Sequence, residues 1–182
     1  MLCQSDQSQL LLIDIQQRLA AVMDQPLHDR TIANSAILAR AASLLNIHLT
    51  VTRQYPQGLG ELVTDIQATL PKDQALIDKT GFSCCAEATF NNSIDKQRKQ
   101  IIIAGMESHV CIQQTAHELA EQDYQVFIVE DAVCSRQQFT HSNAIARMRQ
   151  AGMIITNTES VLFEWLRDAK HEQFKAISQM IK

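Results

Sequence analysis

Cys111 has the position of a nucleophile. It follows Ile101-Ile102-Ile103, a β-branched run that reads as a strand buried on both faces, and Gly105, where the chain is expected to turn. A helix is expected from about Val110, because Ile112, Ala116, Leu119 and Ala120 recur at helical spacing while Gln113, Gln114 and Glu118 fall on the other face. Cys111 then lies in the first helical turn, where unpaired backbone N–H groups and the positive end of the helix dipole favour a thiolate. The competing reading is a buried small hydrophobe, since free cysteine is among the most buried residue types. Position favours chemistry: a strand-turn-helix junction at the C-terminal edge of a parallel sheet is where open α/β sheets bind ligands.

Two ionisable residues stand at comparable places. Asp14 closes the apolar run Leu10-Leu11-Leu12-Ile13 that reads as the first strand, a position equally suited to a turn-former or a helix cap. Lys79 follows the apolar pair Leu76-Ile77 at the end of a short strand, although a lone lysine is ordinarily a solvated surface charge.

The Gly105-x-x-x-x-x-Cys111 spacing, the strand-end Asp14-Ile15-Gln16 and the segment Lys79-x-x-Phe82-Ser83 together resemble the isochorismatase-like cysteine hydrolases, the family of nicotinamidase and N-carbamoylsarcosine amidase. Asp131-Ala132-Val133-Cys134-Ser135 is similar to a further family segment. The resemblance covers nearly the whole chain. It implies a Cys-Asp-Lys triad: Cys111 attacks an amide-type carbonyl, Asp14 accepts the thiol proton and returns it to the leaving amine, and Lys79 balances the charge. It also implies a cis peptide at Met106-Glu107, with the backbone N–H groups of Glu107 and Cys111 holding the oxyanion. Gln16, Tyr55, Met106, Phe82 and His109 are candidate pocket residues by position. Isochorismatases proper act without the cysteine, so Cys111 places this chain among the amidase-like members, nearest the isochorismatase-domain-containing branch. Metal-binding relatives carry an Asp-x-His motif after the second strand, where this chain has Arg53-Gln54-Tyr55, and its six histidines show no ligand spacing. The expectation is therefore no metal and no cofactor, a small-molecule substrate, and a homo-oligomer of two or more copies, as relatives commonly form.

The elements that must position these residues alternate as βα units. Strands are expected near Leu10–Ile13, Ile47–Thr52, Leu76–Lys79, Gln100–Ala104, Tyr124–Glu130 and Met153–Thr156, with Arg53–Gly60 a loop by its Pro and Gly content. Helices are expected over Asp29–Leu45, Glu87–Lys96, Phe139–Gln150, Thr158–Leu166 capped by Thr158, and Phe174–Ile181. Such alternation implies a three-layer, doubly wound α/β fold, a Rossmann-like parallel sheet covered on both faces. Right-handed crossovers with the family resemblance give the strand order 3-2-1-4-5-6, which sets Asp14 beside Cys111.

The 182 residues fit a single domain, 1–182, with no linker or repeat. A net charge of −4 without a basic run leaves no electrostatic footprint for nucleic acid or an anionic membrane. No apolar run approaches a membrane span and the N-terminus has no signal-peptide pattern, so a soluble cytoplasmic protein is expected. Five cysteines, Cys3, Cys84, Cys85, Cys111 and Cys134, lack disulfide or zinc spacing. A dinucleotide-dependent oxidoreductase is disfavoured, because Asp14-Ile15-Gln16-Gln17-Arg18 stands where G-x-G-x-x-G would follow the first strand. A binding or scaffold protein that keeps the fold without turnover remains the alternative.

Overall fold

The computed structural model describes residues 1–182. Six strands, β1 (Ser8–Ile13), β2 (His48–Gln54), β3 (Leu76–Lys79), β4 (Gln100–Met106), β5 (Gln125–Cys134) and β6 (Ile154–Thr156), form one parallel sheet in the order 3-2-1-4-5-6. β1 and β4 are buried at every residue. Their side chains alternate between two cores, as the strand period requires. Leu10, Leu12 and Ile102 face the helices Gln25–Leu44 and Thr158–Leu166, whereas Leu11, Ile13, Ile101 and Ile103 face Gln113–Glu121 and Gln138–Gln150.

The order reverses between β1 and β4, and Gly105 makes their close approach there possible. Its φ is +135°, and a Cβ would stand 2.1 Å from the carbonyl oxygen of Ile13, so no side chain fits. The chain does not turn at Gly105. β4 continues through Met106, paired to Val133 and Cys134 of β5 beyond a register shift, which also carries β5 past the expected Glu130.

Other boundaries differ for identifiable reasons. β2 runs through Arg53 and Gln54, expected in a loop, because Arg53 and Gln54 pair with Asp78 and Lys79 of β3. The first long helix starts at Gln25 rather than Asp29, opened by Pro26 in its first turn. The cap of Thr158–Leu166 is Asn157, whose side chain accepts from the Ser160 amide; the Thr158 hydroxyl instead donates to Asp131. The last helix is α-helical over Phe174–Ser178 and finishes as a 3-10 turn at Gln179–Ile181. Single turns at Gln17–Ala20, Pro56–Leu59 and Thr64–Gln67 are too short to show periodicity. No helix is long and apolar enough to cross a membrane.

Candidate active site

The C-terminal ends of β1, β2 and β3 and the turn after β4 converge on one buried polar cluster. Asp14 directly follows β1 with φ +55°, a left-handed conformation that aspartate tolerates better than most residues. Its carboxylate is fully buried: Oδ1 accepts a 2.7 Å hydrogen bond from the Thr52 hydroxyl, and Oδ2 lies 2.7 Å from Lys79 Nζ. The two groups form a buried ion pair. Lys79 donates to Gln54 Oε1 at 2.5 Å and to the carbonyls of Phe82 and Gly81 at 3.0 and 3.3 Å. The lysine read as a candidate catalytic group thus lies inside the protein, its donors directed by four acceptors.

Cys111 arrives from the other half of the sheet. The segment after β4 begins at Ser108, two residues earlier than expected, and its first turn is π-helical, with the Ile112 amide donating to the Glu107 carbonyl at 3.2 Å. Side chains from beyond β5 hold this turn. Arg136 Nε donates to Glu107 at 2.6 Å, Ser108 pairs with His141 Nδ1 at 3.0 Å, and His109 Nδ1 pairs with Ser135 at 2.9 Å. Burial holds His141 below the ordinary imidazole range, so it braces Ser108 as a neutral ring. The Met106–Glu107 peptide is cis. Cys111 itself is 5% exposed, with Sγ 3.9 Å from Gln54 Oε1.

The electrostatics reverse one expectation. Burial, then the Asp14 carboxylate, push the Cys111 thiol well above the ordinary cysteine value; Lys79 opposes them and does not prevail. Burial and Asp14 thus favour the thiol, against the thiolate that Lys79 and a helix terminus favour. Burial likewise raises Asp14, against the pull of Lys79 and Thr52, which makes it a stronger base than an exposed aspartate. For Lys79, burial lowers the pKa while the Asp14 carboxylate, the foremost of the groups that raise it, holds it above the ordinary lysine value, so the ammonium persists.

The remaining candidates divide. Tyr55 and Phe82 are attached to the cluster through their backbones, Tyr55 N–H to the Lys79 carbonyl and Phe82 C=O to Lys79 Nζ, while their rings are more than half exposed. His109 lies two residues before Cys111 and is partly exposed. Gln16 and Met106, by contrast, are fully buried. The Gln16 amide accepts from Gln54 N–H and donates to the carbonyls of Gln54 and Gly60, so it braces the end of β2 and has no group free for a ligand. Thr52 and Gln54 escaped the sequence reading. Their signal was the polar alternation Thr50, Thr52, Gln54 on a strand whose neighbours are apolar. Cys84 packs behind them, Sγ 4.0 Å from Thr52 Oγ1, its thiol pushed up to about 12 chiefly by burial. No group of three His, Cys, Asp or Glu side chains is arranged to hold a metal ion. Cavities of about 600 and 570 Å³ open elsewhere, around Asn46 and Arg98 and beside the edge strand β3.

A six-stranded parallel sheet in this order, with a carboxylate, an ammonium and a thiol gathered at its switch point, has the architecture of the isochorismatase-like hydrolases. Residues 8–160 match the isochorismatase domain, and the chain belongs to that family. It is 37% identical over 177 residues to isochorismatase domain-containing protein 2 of Danio rerio, covering 96% of this chain and 86% of that protein. Among solved structures it is similar to the MAR1 ribonuclease of Caenorhabditis elegans, with TM-score 0.93 and 32% identity over 100% of this chain and 92% of that one. It is also similar to the YcaC gene product of Escherichia coli, described as an octameric hydrolase of unknown specificity, with TM-score 0.90 and 25% identity over 100% and 89% of the two chains.

Proposed function

We propose that this protein is a metal-independent cysteine hydrolase that cleaves an amide-type C–N bond of a small molecule, with Cys111, Asp14 and Lys79 as its catalytic residues. The observation that carries the reading is the convergence of these three side chains, from three separate segments, in one buried cluster. In the resting state the thiol is neutral and lies beside the ion-paired Asp14 carboxylate, whose basicity burial raises. As Sγ attacks the carbonyl carbon, Asp14 accepts the thiol proton, and Lys79 compensates the charge that moves between them. The backbone N–H groups of Glu107 and Cys111 hold the oxyanion, an effect worth about 3 to 4 kcal/mol per donor in acyl-transfer enzymes. Collapse of the tetrahedral species transfers the proton from Asp14 to the departing nitrogen and leaves a thioester. Water then gives a proton to Asp14 and its hydroxyl to the carbonyl carbon; the carboxylic acid leaves and the thiol is restored.

Tyr55, Phe82 and His109 line the approach to the thiol, and the chain assembles as a homo-oligomer, in keeping with the octameric YcaC neighbour. The end of β2 supports metal independence, since Arg53 is paired with Asp78 and Glu61 and Gln54 with Lys79. The ribonuclease named among the structural neighbours marks a second substrate class; the net charge of −4 favours a small substrate over a phosphate backbone.

The test is a panel of primary amides, N-carbamoyl compounds and a single-stranded RNA, assayed for ammonia release and RNA cleavage with and without chelator, on wild type and Cys111→Ala. The expected result is ammonia release from at least one amide, indifferent to chelator and absent in Cys111→Ala. Turnover that survives Cys111→Ala would refute the mechanism, and a wholly inactive wild type would favour the scaffold reading.

A further inference from the structure

Gln54 occupies the space between the ammonium and the thiol. Its Oε1 lies 2.5 Å from Lys79 Nζ and 3.9 Å from Cys111 Sγ. Its orientation is fixed, because Nε2 donates to the Thr80 carbonyl at 2.8 Å, so the oxygen and not the nitrogen must face the site. The backbone is fixed as well: Gln16 accepts from Gln54 N–H at 2.7 Å and donates to its carbonyl at 3.1 Å. The residue is buried. An amide oxygen only accepts, so it favours an S–H directed at it and opposes a thiolate in the same place.

We infer that Gln54 is a positioning residue that helps keep Cys111 in its protonated form until substrate binds, an uncharged acceptor for the S–H alongside the Asp14 carboxylate. This deepens the hydrolase reading and rests on it. The amide accepts the S–H and is too weak a base to remove the proton, so transfer goes to Asp14, which is also within hydrogen-bond reach of the thiol. Gln54 also draws the Lys79 donors toward itself and so weakens the attraction between that ammonium and a thiolate. The titratable groups facing the thiol are Asp14 at the end of β1, Lys79 at the end of β3 and Cys84 in the turn that follows. Gln54 lies among them without a charge of its own.

Two near-isosteric substitutions separate this role from simple packing, because they act with opposite sign. Gln54→Met removes the acceptor and frees Lys79 to face the sulfur, so the Cys111 titration midpoint moves down and iodoacetamide labelling at neutral pH accelerates by about fivefold, the order of one net hydrogen bond. Gln54→Glu places a second carboxylate beside the thiol, so the midpoint moves up and labelling slows by at least about as much. The measurement is the pH dependence of Cys111 labelling, resolved from the other four cysteines by peptide mass spectrometry, with circular dichroism confirming the fold. Shifts of the same sign in both variants, or no shift in either, would overturn the inference. If Gln54→Met fails to fold, Gln54→Glu alone decides, because a midpoint unchanged or lowered excludes the role. If wild-type Cys111 labels no faster than Cys84, the hydrolase reading fails, while the signs of the two shifts still judge Gln54.

Discussion

Removing the ammonium of Lys79 is the severest test of how the site is held together. Lys79 and Asp14 have fully buried side chains 2.7 Å apart, so neither charge is screened by solvent. Lys79→Met keeps the length and most of the volume of the side chain but strands the carboxylate in an apolar surrounding. Breaking one partner from such a pair costs about 3 to 5 kcal/mol, a large share of the ~5 to 15 kcal/mol that stabilises an ordinary domain. The loss depends on pH, and its sign follows from Asp14. Burial already raises that carboxyl, and Lys79 is the largest influence holding it down, so the variant raises it further. A group whose folded pKa exceeds its unfolded value contributes stability that is complete below the unfolded pKa, about 3.9 for aspartate, and is lost as pH rises through the folded pKa. The deficit of Lys79→Met relative to wild type should therefore be small near pH 4 to 5, where Asp14 takes a proton, and reach its full size by about pH 8. Urea unfolding at both pH values, followed by the fluorescence of Trp165, measures it directly, since Trp165 is the only tryptophan and lies in the core. A deficit below about 1 kcal/mol at pH 8, or one equal at the two pH values, would refute the buried ion pair as an energetic unit.

Three further outcomes follow from the same geometry. Iodoacetamide should modify Cys111 ahead of Cys3, Cys84 and Cys134, and ahead of the more exposed Cys85, whose thiol burial pushes up to about 11, because Cys111 has Asp14 to take its proton and Lys79 to balance the charge at a sulfur that is not wholly enclosed, whereas Cys3, Cys84 and Cys134 are fully buried and Cys85 faces Glu118 without a cation; first labelling at Cys85 in peptide mapping would contradict this. Gly105→Ala should lower stability by about 3 kcal/mol or more, since a Cβ meets the Ile13 carbonyl at 2.1 Å and the φ is one alanine resists; a change in melting temperature under a few degrees would show that the β1–β4 junction adjusts freely. Light scattering at micromolar concentration should give a mass above that of one chain, and a monomeric mass would count against assembly.

Parts of this architecture are written locally in the chain and parts are not. β1 and β4 are legible because their apolar runs have no plausible fate except a strand covered on both faces. Asp14, Lys79 and Cys111 are legible as candidates because each follows an apolar run and matches a segment of the family that the chain resembles. The end of β2 was not legible. Arg53 and Gln54 are polar and precede Tyr55-Pro56, a loop by composition, yet they continue the strand through pairing with Asp78 and Lys79 and bracing by Gln16, all distant in sequence. The charge state of Cys111 was legible only in part, for the same reason. The helix terminus that favours a thiolate is visible in the local pattern, whereas the burial and the Asp14 charge that outweigh it exist only once the sheet has formed. Gln16 shows the converse: a polar residue beside a candidate base suggested a ligand contact and proved to be a strut.

The strand order 3-2-1-4-5-6 divides the sheet at the same place as it divides the sequence. Everything before β4 supplies the Asp14 carboxylate, the Lys79 ammonium, Thr52 and Gln54; everything after it supplies the Cys111 thiol and the side chains that brace its turn. The two complements meet along the β1–β4 seam, paired from Ser8–Gln100 to Ile13–Gly105. A sliding motion along that seam would change the separation of thiol and carboxylate while leaving the Asp14–Lys79 pair intact, so the reactive distance is set by the mating of two half-sheets. A chain interrupted between β3 and β4 would thus yield two fragments that are each chemically inert, and the recovery of a reactive thiol on mixing them would time the closing of the seam.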